Sequence, residues 1–436
     1  MSEFETNELT DVDLADQLSY VQEAYHDLET TLESLTTLED EFEAYELISL
    51  MPTQDGELTQ ESLQMLDMLE MSIHAGEDEH YSDELLSLEA LKFSDVADGA
   101  RAMGRVAVGG ISRVKAVVNK AAPVIAENVI KGWDISREYY DRSFSTVESV
   151  YKQVRKTQER LDRIKNLRPR EQVIELRREA VTLSMGYALP KSSRDIINAL
   201  ETIQSNSDYI LHQWSQELKK AGDLFLRVAA QADKNTPLVS VQHLTTVAKG
   251  LDFKKVQDKL KASVRRDTRF RNVDVYVGED LPGNYNLFIV RPDQAIRNDD
   301  NVLAVAKAYR RRKIVMKHTQ GGKRMSGDKT RMEVLDIQEM QQVLKACMEL
   351  EDVLARYARS GMSHTLENIG RQLGARFEKS YAITEPRHML LSNSANRFSS
   401  AFLKWATQPS VALYSQALAT IRAAVLVCQR SIAVYA

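Results

Sequence analysis

SVALYSQALATIRAAVLVCQRSIAVYA, residues 410–436, is the most apolar part of this chain of 436 residues. Arg422 and Arg430 interrupt it, and the chain contains no run of about 18 uncharged apolar residues, so we expect no membrane span. Hydrophobic residues make up 43% of the chain, which is enough to bury a core. We therefore interpret this segment as a core helix of a mainly α-helical protein.

Hydrophobic periodicity predicts that this segment is the last part of a C-terminal helical bundle, residues 337–436. Its helices are predicted at 337–359, 363–379, 397–406 and 410–434. Residues 270–336 differ, because short runs rich in Val, Ile, Tyr and Phe alternate with turn-forming residues. The runs are NVDVYVGED (272–280), YNLFIVRP (285–292), KIVMKHT (313–319) and TRMEVLD (330–336). We expect a small antiparallel β insertion in which GGKRMSGD closes a basic hairpin between the last two runs.

Residues 90–269 are predicted to form a basic helical domain. Its helices are expected at 101–133, about 134–167, 171–186, 193–204, 206–233 and 253–264, with a break at Gly109-Gly110. The first of them is basic and amphipathic, so it could lie on an anionic membrane. It has few large apolar residues, and close packing against other helices is the favoured interpretation.

Charge divides the chain more sharply than any other property. Residues 1–91 contain 26 of the 63 acidic residues and no Lys or Arg, since the first basic residue is Lys92. The remaining 37 acidic residues accompany all 57 basic ones, which gives the rest of the chain a formal charge of +20. The overall value of −6 hides this division. Such asymmetry is typical of an acidic tail or pro-segment beside a body that contacts a polyanion.

The acidic segment, taken as residues 1–89, also has a helical pattern. Its apolar residues recur at alternating steps of three and four, which is an a/d heptad seam. They are Leu18, Val21, Tyr25, Leu28, Leu32 and Leu35. Helices this acidic repel themselves, so they are expected to be marginal without a basic partner. Either a self-contained helical hairpin or packing against the basic body is compatible with the pattern.

Basic residues concentrate between positions 307 and 331, where Asp328 is the only acidic residue. They are Lys307, Arg310, Arg311, Arg312, Lys313, Lys317, Lys323, Arg324, Lys329 and Arg331. On one hairpin edge they would form a phosphate-binding patch whose affinity for nucleic acid falls with salt. A docking site for the acidic segment and an ordinary solvated surface are the two alternatives.

No motif indicates catalysis. Residues 322–330 approach a P-loop, but Asp328 would repel phosphate and the following residues predict a strand rather than a helix N-terminus. His74 and His80 flank GEDE without implying a structured metal cage, and no HExxH, GxSxG or Cys/His spacing occurs. Cys347 and Cys428 lie in apolar helical segments and are expected to be buried, reduced thiols. We therefore assign no catalytic residue, metal site or cofactor.

The overall plan resembles the internal head proteins of phiKZ-like giant bacteriophages. The resemblance lies in an acidic, helical N-terminus without basic residues, a Ser-Leu-Glu-Ala junction and a basic helical body, and is strongest over residues 87–119. In that family a prohead protease cuts after a small-X-Glu tripeptide, and the mature body stays packaged with the DNA. The resemblance implies a virion structural protein that enters the host with the genome.

Ser87, Leu88, Glu89 and Ala90 form the predicted cleavage site, because a cut after Glu89 would remove all 26 of those acidic residues and no basic one. Glu46 and Glu77 end similar tripeptides and are candidates for earlier cuts. The expected partners are phage genomic DNA, the prohead protease and other head or scaffold proteins. An ejected effector that binds a host protein or RNA in the host cytoplasm, and an uncharacterised enzyme, are the alternatives.

Overall fold

The computed structural model describes residues 21, 23–36, 53–54, 57–58, 108–164, 168–231, 251–264, 274–291, 309, 311–319, 330–378 and 386–435. The helices, in chain order, are α1 (residues 21 and 23–36), α2 (Val108–Asp162), α3 (Arg178–Thr182), α4 (Ser193–Asp208), α5 (Ser215–Gln231), α6 (Phe253–Lys259), α7 (Ile337–Ser360), α8 (Met362–Glu378) and α9 (Pro386–Tyr435). A π-helical segment, Tyr209–Trp214, joins α4 to α5.

The strands are short and antiparallel. They are β1 (Thr53–Gln54), β2 (Glu57–Leu58), β3 (Val173–Leu176), β4 (Ser263–Val264), β5 (Asp274–Leu281), β6 (Tyr285–Arg291), β7 (Lys313–His318) and β8 (Thr330–Glu333). The largest sheet has the order β4-β5-β6-β7, while β3 pairs with β8 and β1 with β2. Long helices and a small antiparallel sheet confirm the predicted fold class.

Helix α9 is the centre of the core, as its apolar sequence predicts, but it is one helix rather than two. Pro409 lies inside it and cannot donate a hydrogen bond to the carbonyl of Trp405, four residues earlier. The indole Nε1 of Trp214 donates to that carbonyl instead, at 3.1 Å. The tertiary partner therefore satisfies the group that proline leaves free, and the helix continues.

Helix α2 is also continuous where the sequence predicted two helices. Gly109-Gly110 lies in its first turn and not at a break. Near the expected boundary, Trp133 is 2% exposed and packs on Gly370 of α8, where a Cβ atom would lie 2.2 Å from the indole ring. The close contact fixes this part of α2 against α8, so the helix passes through the predicted junction.

The segment predicted as a helix over 171–186 is mostly not helical. Residues Val173–Leu176 form β3, whose alternating exposed and buried residues follow a strand period. Val173 pairs with Glu333 and Leu176 with Thr330, in β8. The prediction was wrong because a partner more than 150 residues away decides this conformation. The same pairing places β8 in a different sheet from β7, so the expected hairpin between these two strands does not form.

Other helix boundaries follow local signals. Asp336 caps α7 through a capping box with Glu339, and Gly361 ends it with φ = 62°. These bounds confirm the predicted helix at 337–359, and α8 confirms that at 363–379. Helix α6 stops at Lys259, short of the predicted 264, because Lys261 takes φ = 49° and the chain then enters β4.

One hydrophobic core connects α1 with the helices and with one face of the four-stranded sheet. The other face of that sheet carries a second apolar cluster, formed by Val275, Val277, Phe288, Val290 and Val315. Among the described residues, Arg397–Tyr435 is long and apolar enough to cross a membrane, but 78% of its most apolar window is buried in the protein. Burial of this kind is typical of the core helix that the sequence predicted.

Candidate nucleic-acid interface

Half of the predicted nucleic-acid-binding residues can be placed. Arg311, Arg312, Lys313 and Lys317 lie at or in β7, and Arg331 lies in β8. The others, Lys307, Arg310, Lys323, Arg324 and Lys329, lie outside the described residues. The described basic residues therefore belong to two sheets and do not share one hairpin edge.

Arg312 packs inward. Its guanidinium lies 5.6 Å from the centroid of the Phe253 ring, and its backbone carbonyl accepts a hydrogen bond from Trp405 Nε1 at 2.6 Å. Burial lowers the pKa of Arg312, partly with the help of the nearby charge of Arg291. The side chain of Arg312 thus packs on α6, while its backbone carbonyl is held by α9.

Lys313 and Lys317 share one face of β7, because strand residues alternate in direction and both numbers are odd. Val315, between them, belongs to the second apolar cluster. The opposite face, with Ile314 and Met316, enters the main core. Both lysines are partly exposed, so their ammonium groups remain candidates for phosphate contact.

Arg331 occupies a different electrostatic setting. It stands opposite Glu175 in the register between β3 and β8. Close by, Arg430 donates to the Glu175 carbonyl at 2.9 Å and to the Glu179 carboxylate at 2.7 Å. Carboxylates therefore accompany the guanidinium groups here, and the surface is mixed rather than purely basic.

The end of β7 is firmly anchored just before the basic residues 323, 324 and 329. Thr319 donates from its backbone N–H to the Asn284 carbonyl at 2.8 Å, and its own carbonyl accepts from the Tyr187 hydroxyl. Asn284 in turn donates from Nδ2 to Ser184 Oγ at 2.7 Å. Three separate segments thus fix the point from which the basic stretch departs.

Helix α1 docks on the body beside this anchor. Val21, Leu28, Leu32 and Leu35 are each at most 1% exposed and belong to the same core cluster as α2, α9 and β6. The described part of the heptad seam is therefore buried in the same core as the body, as the second of the two predicted arrangements requires. Most of the rest of the acidic segment lies outside the described residues. Leu18, the first residue of the seam, lies outside the described residues.

Charged groups of α1 and of the four-stranded sheet lie close enough to affect one another's pKa. Burial raises the pKa of Glu29, the neighbouring Glu33 raises it further, and Lys317 and His26 act in the opposite direction. Burial also raises the pKa of Tyr285, with a contribution from Glu29. The Tyr285 ring stacks on His318 at a centroid distance of 4.0 Å. Helix α1 thus lies near the Tyr285–His318 pair, and Lys317 of the predicted basic cluster acts on Glu29 through its charge.

The residues of the body that lie near α1 could not be predicted from the sequence. Besides Tyr285, Tyr139 of α2 lies near Tyr25: burial raises the pKa of Tyr139, with a small contribution from Tyr25, and its hydroxyl donates to the Val411 carbonyl of α9 at 3.0 Å. The sequence identified Tyr285 only as part of a predicted strand, and it did not single out Tyr139. The heptad seam signalled that α1 needs an apolar partner, but no pattern marked which residues supply it.

The predicted cleavage residues Ser87, Leu88, Glu89 and Ala90, with Glu46 and Glu77, lie outside the described residues. Their position in the sequence is still informative, because the described residues of α1, 23–36, precede all of them. Every predicted cut would therefore spare this part of α1 and separate it covalently from the body.

The described residues bring together no group of three or more His, Cys, Asp or Glu that could hold a metal ion. Cys347 and Cys428 are buried and free, as predicted, and burial raises the pKa of both thiols. Such thiols are poor nucleophiles. The depression beside β3 and β8 is lined by two glutamates, two arginines and three apolar residues, with no Ser, Cys or His among its lining residues.

Neither the curated proteins nor the solved structures contain a significant match to the chain. A family model, described as phiKZ-like phage internal head proteins, matches residues 10–430. The match begins within the acidic segment and ends near the end of α9, so it includes both the docked helix and the body. The chain therefore belongs to the phiKZ-like phage internal head proteins, a family of structural proteins inside the virion.

Proposed function

We propose that the protein is made as a precursor whose acidic segment, residues 1–89, is removed by a prohead protease after Glu89. The remaining body packs against genomic DNA inside the head, together with other head or scaffold proteins, and enters the host cytoplasm with the genome. Its role is structural and not enzymatic. The division of charge supports the proposal best, because the cut would convert a chain of −6 into a body of +20.

The physical basis is counterion release. A strongly basic body gains affinity for any nucleic acid by displacing cations from the phosphates. The acidic segment, held on the same chain at high effective concentration, competes with nucleic acid for the basic surface. The position of Glu29 near Lys317 is one point at which this competition would act.

The N-terminus and intact mass of the protein from purified particles test the processing step. We expect a chain that starts at Ala90. A chain that starts at Met1 or Ser2 would reject processing and make the acidic segment a permanent part of the protein. Fragments that start after Glu46 or Glu77 would indicate that processing proceeds in steps.

DNA binding is tested separately with duplex of random sequence. At matched salt, the full-length protein is expected to bind much more weakly than residues 90–436, and the difference should shrink as salt screens both interactions. Equal affinity at low salt would exclude the masking role of the acidic segment. It would leave the cleavage itself untouched, since that is measured from particles.

A further inference from the structure

The apolar seam of α1 is buried as completely as the core of a folded domain. Four of its seam residues, Val21, Leu28, Leu32 and Leu35, are almost completely buried. The outward positions Glu23, Asp27 and Glu33 are exposed. The helix is therefore amphipathic, with an apolar seam against the body and carboxylates toward solvent.

Among the described residues, those that lie near α1 come from beyond the predicted cleavage site. Tyr139 comes from α2, and its hydroxyl is tied to the backbone of α9. Tyr285 and His318 form a stacked pair across β6 and β7. Lys317 adds a positive charge near Glu29. These elements pack on one another through the main core, so the receiving surface does not depend on a covalent link to α1.

We propose that the body contains a groove that binds an acidic amphipathic helix noncovalently, and that α1 stays in this groove after the chain is cut. The biological setting rests on the proposed processing, whereas the groove itself rests on the buried seam. Cuts after Glu46, Glu77 or Glu89 all spare α1, so none of them by itself removes the helix from the body.

The consequence is a two-step activation. Residues 1–46 contain 15 of the acidic residues, and a body of +20 that retained this fragment would have a formal charge of only +5. Cleavage would shorten the acidic segment and break its covalent link to the body. The segment would then lose the high effective concentration that the link provides. Exposure of the groove would wait until α1 dissociates or is displaced, for which densely packed DNA is a competing polyanion.

Two separately encoded chains, residues 1–89 with an affinity tag and residues 90–436, test this proposal when they are produced in the same cells. We expect them to be isolated as a one-to-one complex that survives gel filtration at both 0.1 M and 1 M NaCl. Salt resistance is expected because burial of apolar residues, unlike contact between exposed charges, is not screened. The complex should also bind DNA more weakly than residues 90–436 alone.

A matched pair of variants in the short chain locates the contact. Leu28→Asp with Leu32→Asp places two carboxylates in the buried seam and should weaken the complex by at least ~100-fold. Glu23→Gln with Asp27→Asn changes two exposed residues of the same helix and should change the affinity by less than ~10-fold.

Three results would overturn the proposal: failure of the wild-type chains to associate, dissociation of the complex in 1 M NaCl, or equal effects of the two variants. Failure of the proposed processing gives a different result, namely an uncut chain in particles, and does not alter this experiment. If residues 90–436 are soluble only in the presence of wild-type residues 1–89, that dependence supports the groove, since it shows that α1 covers apolar surface.

Discussion

At the scale of single residues, the contact between α1 and the body contains an electrostatic conflict at Glu29. Burial and Glu33 disfavour its charged form, and Lys317 and His26 only partly compensate, so the pKa of Glu29 is raised. A carboxyl whose pKa is higher in the folded state contributes stability below its unfolded pKa and loses it as pH rises through the folded pKa. At neutral pH this group therefore opposes docking, while the apolar seam favours it.

Replacement of Glu29 by Gln should raise the melting temperature at pH 7 and reduce the loss of stability between pH 4 and pH 7. The amide keeps the shape of the side chain and removes the buried charge. Thermal unfolding of the full-length protein over this pH range is the measurement. Lys317→Gln is the control and should lower stability at pH 7, and a lower melting temperature for Glu29→Gln would show that attraction to Lys317 dominates instead.

A second buried carboxyl should produce a separate pH dependence. Glu351 of α7 is 4% exposed, and its Oε2 has no hydrogen-bond partner among the described residues. Burial, with a smaller contribution from Asp352, raises the pKa of Glu351 to about 8, although Arg155 acts against this. Its contribution is fully present below the usual carboxyl range and disappears as pH rises toward 8 and above. We expect the melting temperature to fall over this interval.

Glu351→Gln should flatten that fall and raise the melting temperature at pH 8 to 9. The exposed neighbour Asp352, replaced by Asn, serves as the control for a simple change of net charge. The interpretation fails if the two variants show the same pH profile, because the effect would then come from net charge rather than from the buried group.

At the scale of elements, the long helices are positioned by close contacts whose local sequence gives no sign of them. Gly370 of α8 lies directly against Trp133 of α2, whereas Gly374, one turn later in the same helix, faces open space. Both are helical glycines, so each has the same intrinsic cost to helix stability relative to alanine. Only the packing distinguishes them.

Gly370→Ala should therefore destabilise the protein by about 1–3 kcal/mol, because the new methyl group overlaps the indole ring. Gly374→Ala should stabilise it by about 0.5–1 kcal/mol, since alanine is the better helix former and nothing obstructs it. Chemical denaturation of both variants measures the difference. Effects of the same sign and size would mean that α2 and α8 do not approach each other as closely as described.

At the scale of the whole molecule, charge and packing assign different roles to neighbouring basic residues. Arg312, Lys313 and Lys317 are all partly exposed. The guanidinium of Arg312 lies over the ring of Phe253, whereas both lysines lie on the outer face of β7. A single charge count treats these residues as equal. The tertiary structure separates candidates for phosphate contact from a residue that holds β7 against the helices.

In residues 90–436, Lys313→Ala with Lys317→Ala should lower DNA affinity and reduce the magnitude of the slope of log K against log salt by up to roughly 2, about one for each phosphate that is no longer neutralised. Arg312→Ala should mainly reduce thermal stability and leave the slope nearly unchanged. Binding titrations at several salt concentrations, with melting temperatures for each variant, distinguish the two effects. A slope unaffected by the lysine pair would remove β7 from the DNA interface.

Much of the secondary structure could be predicted because it depends on local signals. The apolar run of α9, the capping residues of α7 and the β-rich runs of β5, β6 and β7 each specify their element within a few neighbouring residues. The predicted elements are wrong where a partner far away in the sequence determines the conformation. Leu176 and its neighbours became a strand because β8 pairs with them, and Pro409 did not divide α9 because Trp214 satisfies the free carbonyl.

The sequence by itself determined the helical class, the separation of a −26 segment from a +20 body, and an amphipathic seam in the acidic segment that needs a partner. Periodicity and charge are properties of residue order, so they do not depend on the fold. Only the tertiary structure decided that the seam of α1 is buried in the same core as α2, α9 and β6, that the Arg312 side chain packs on Phe253 and that β7 and β8 enter different sheets. These are contacts between segments far apart in the chain, and they are fixed by the combined packing of all of them.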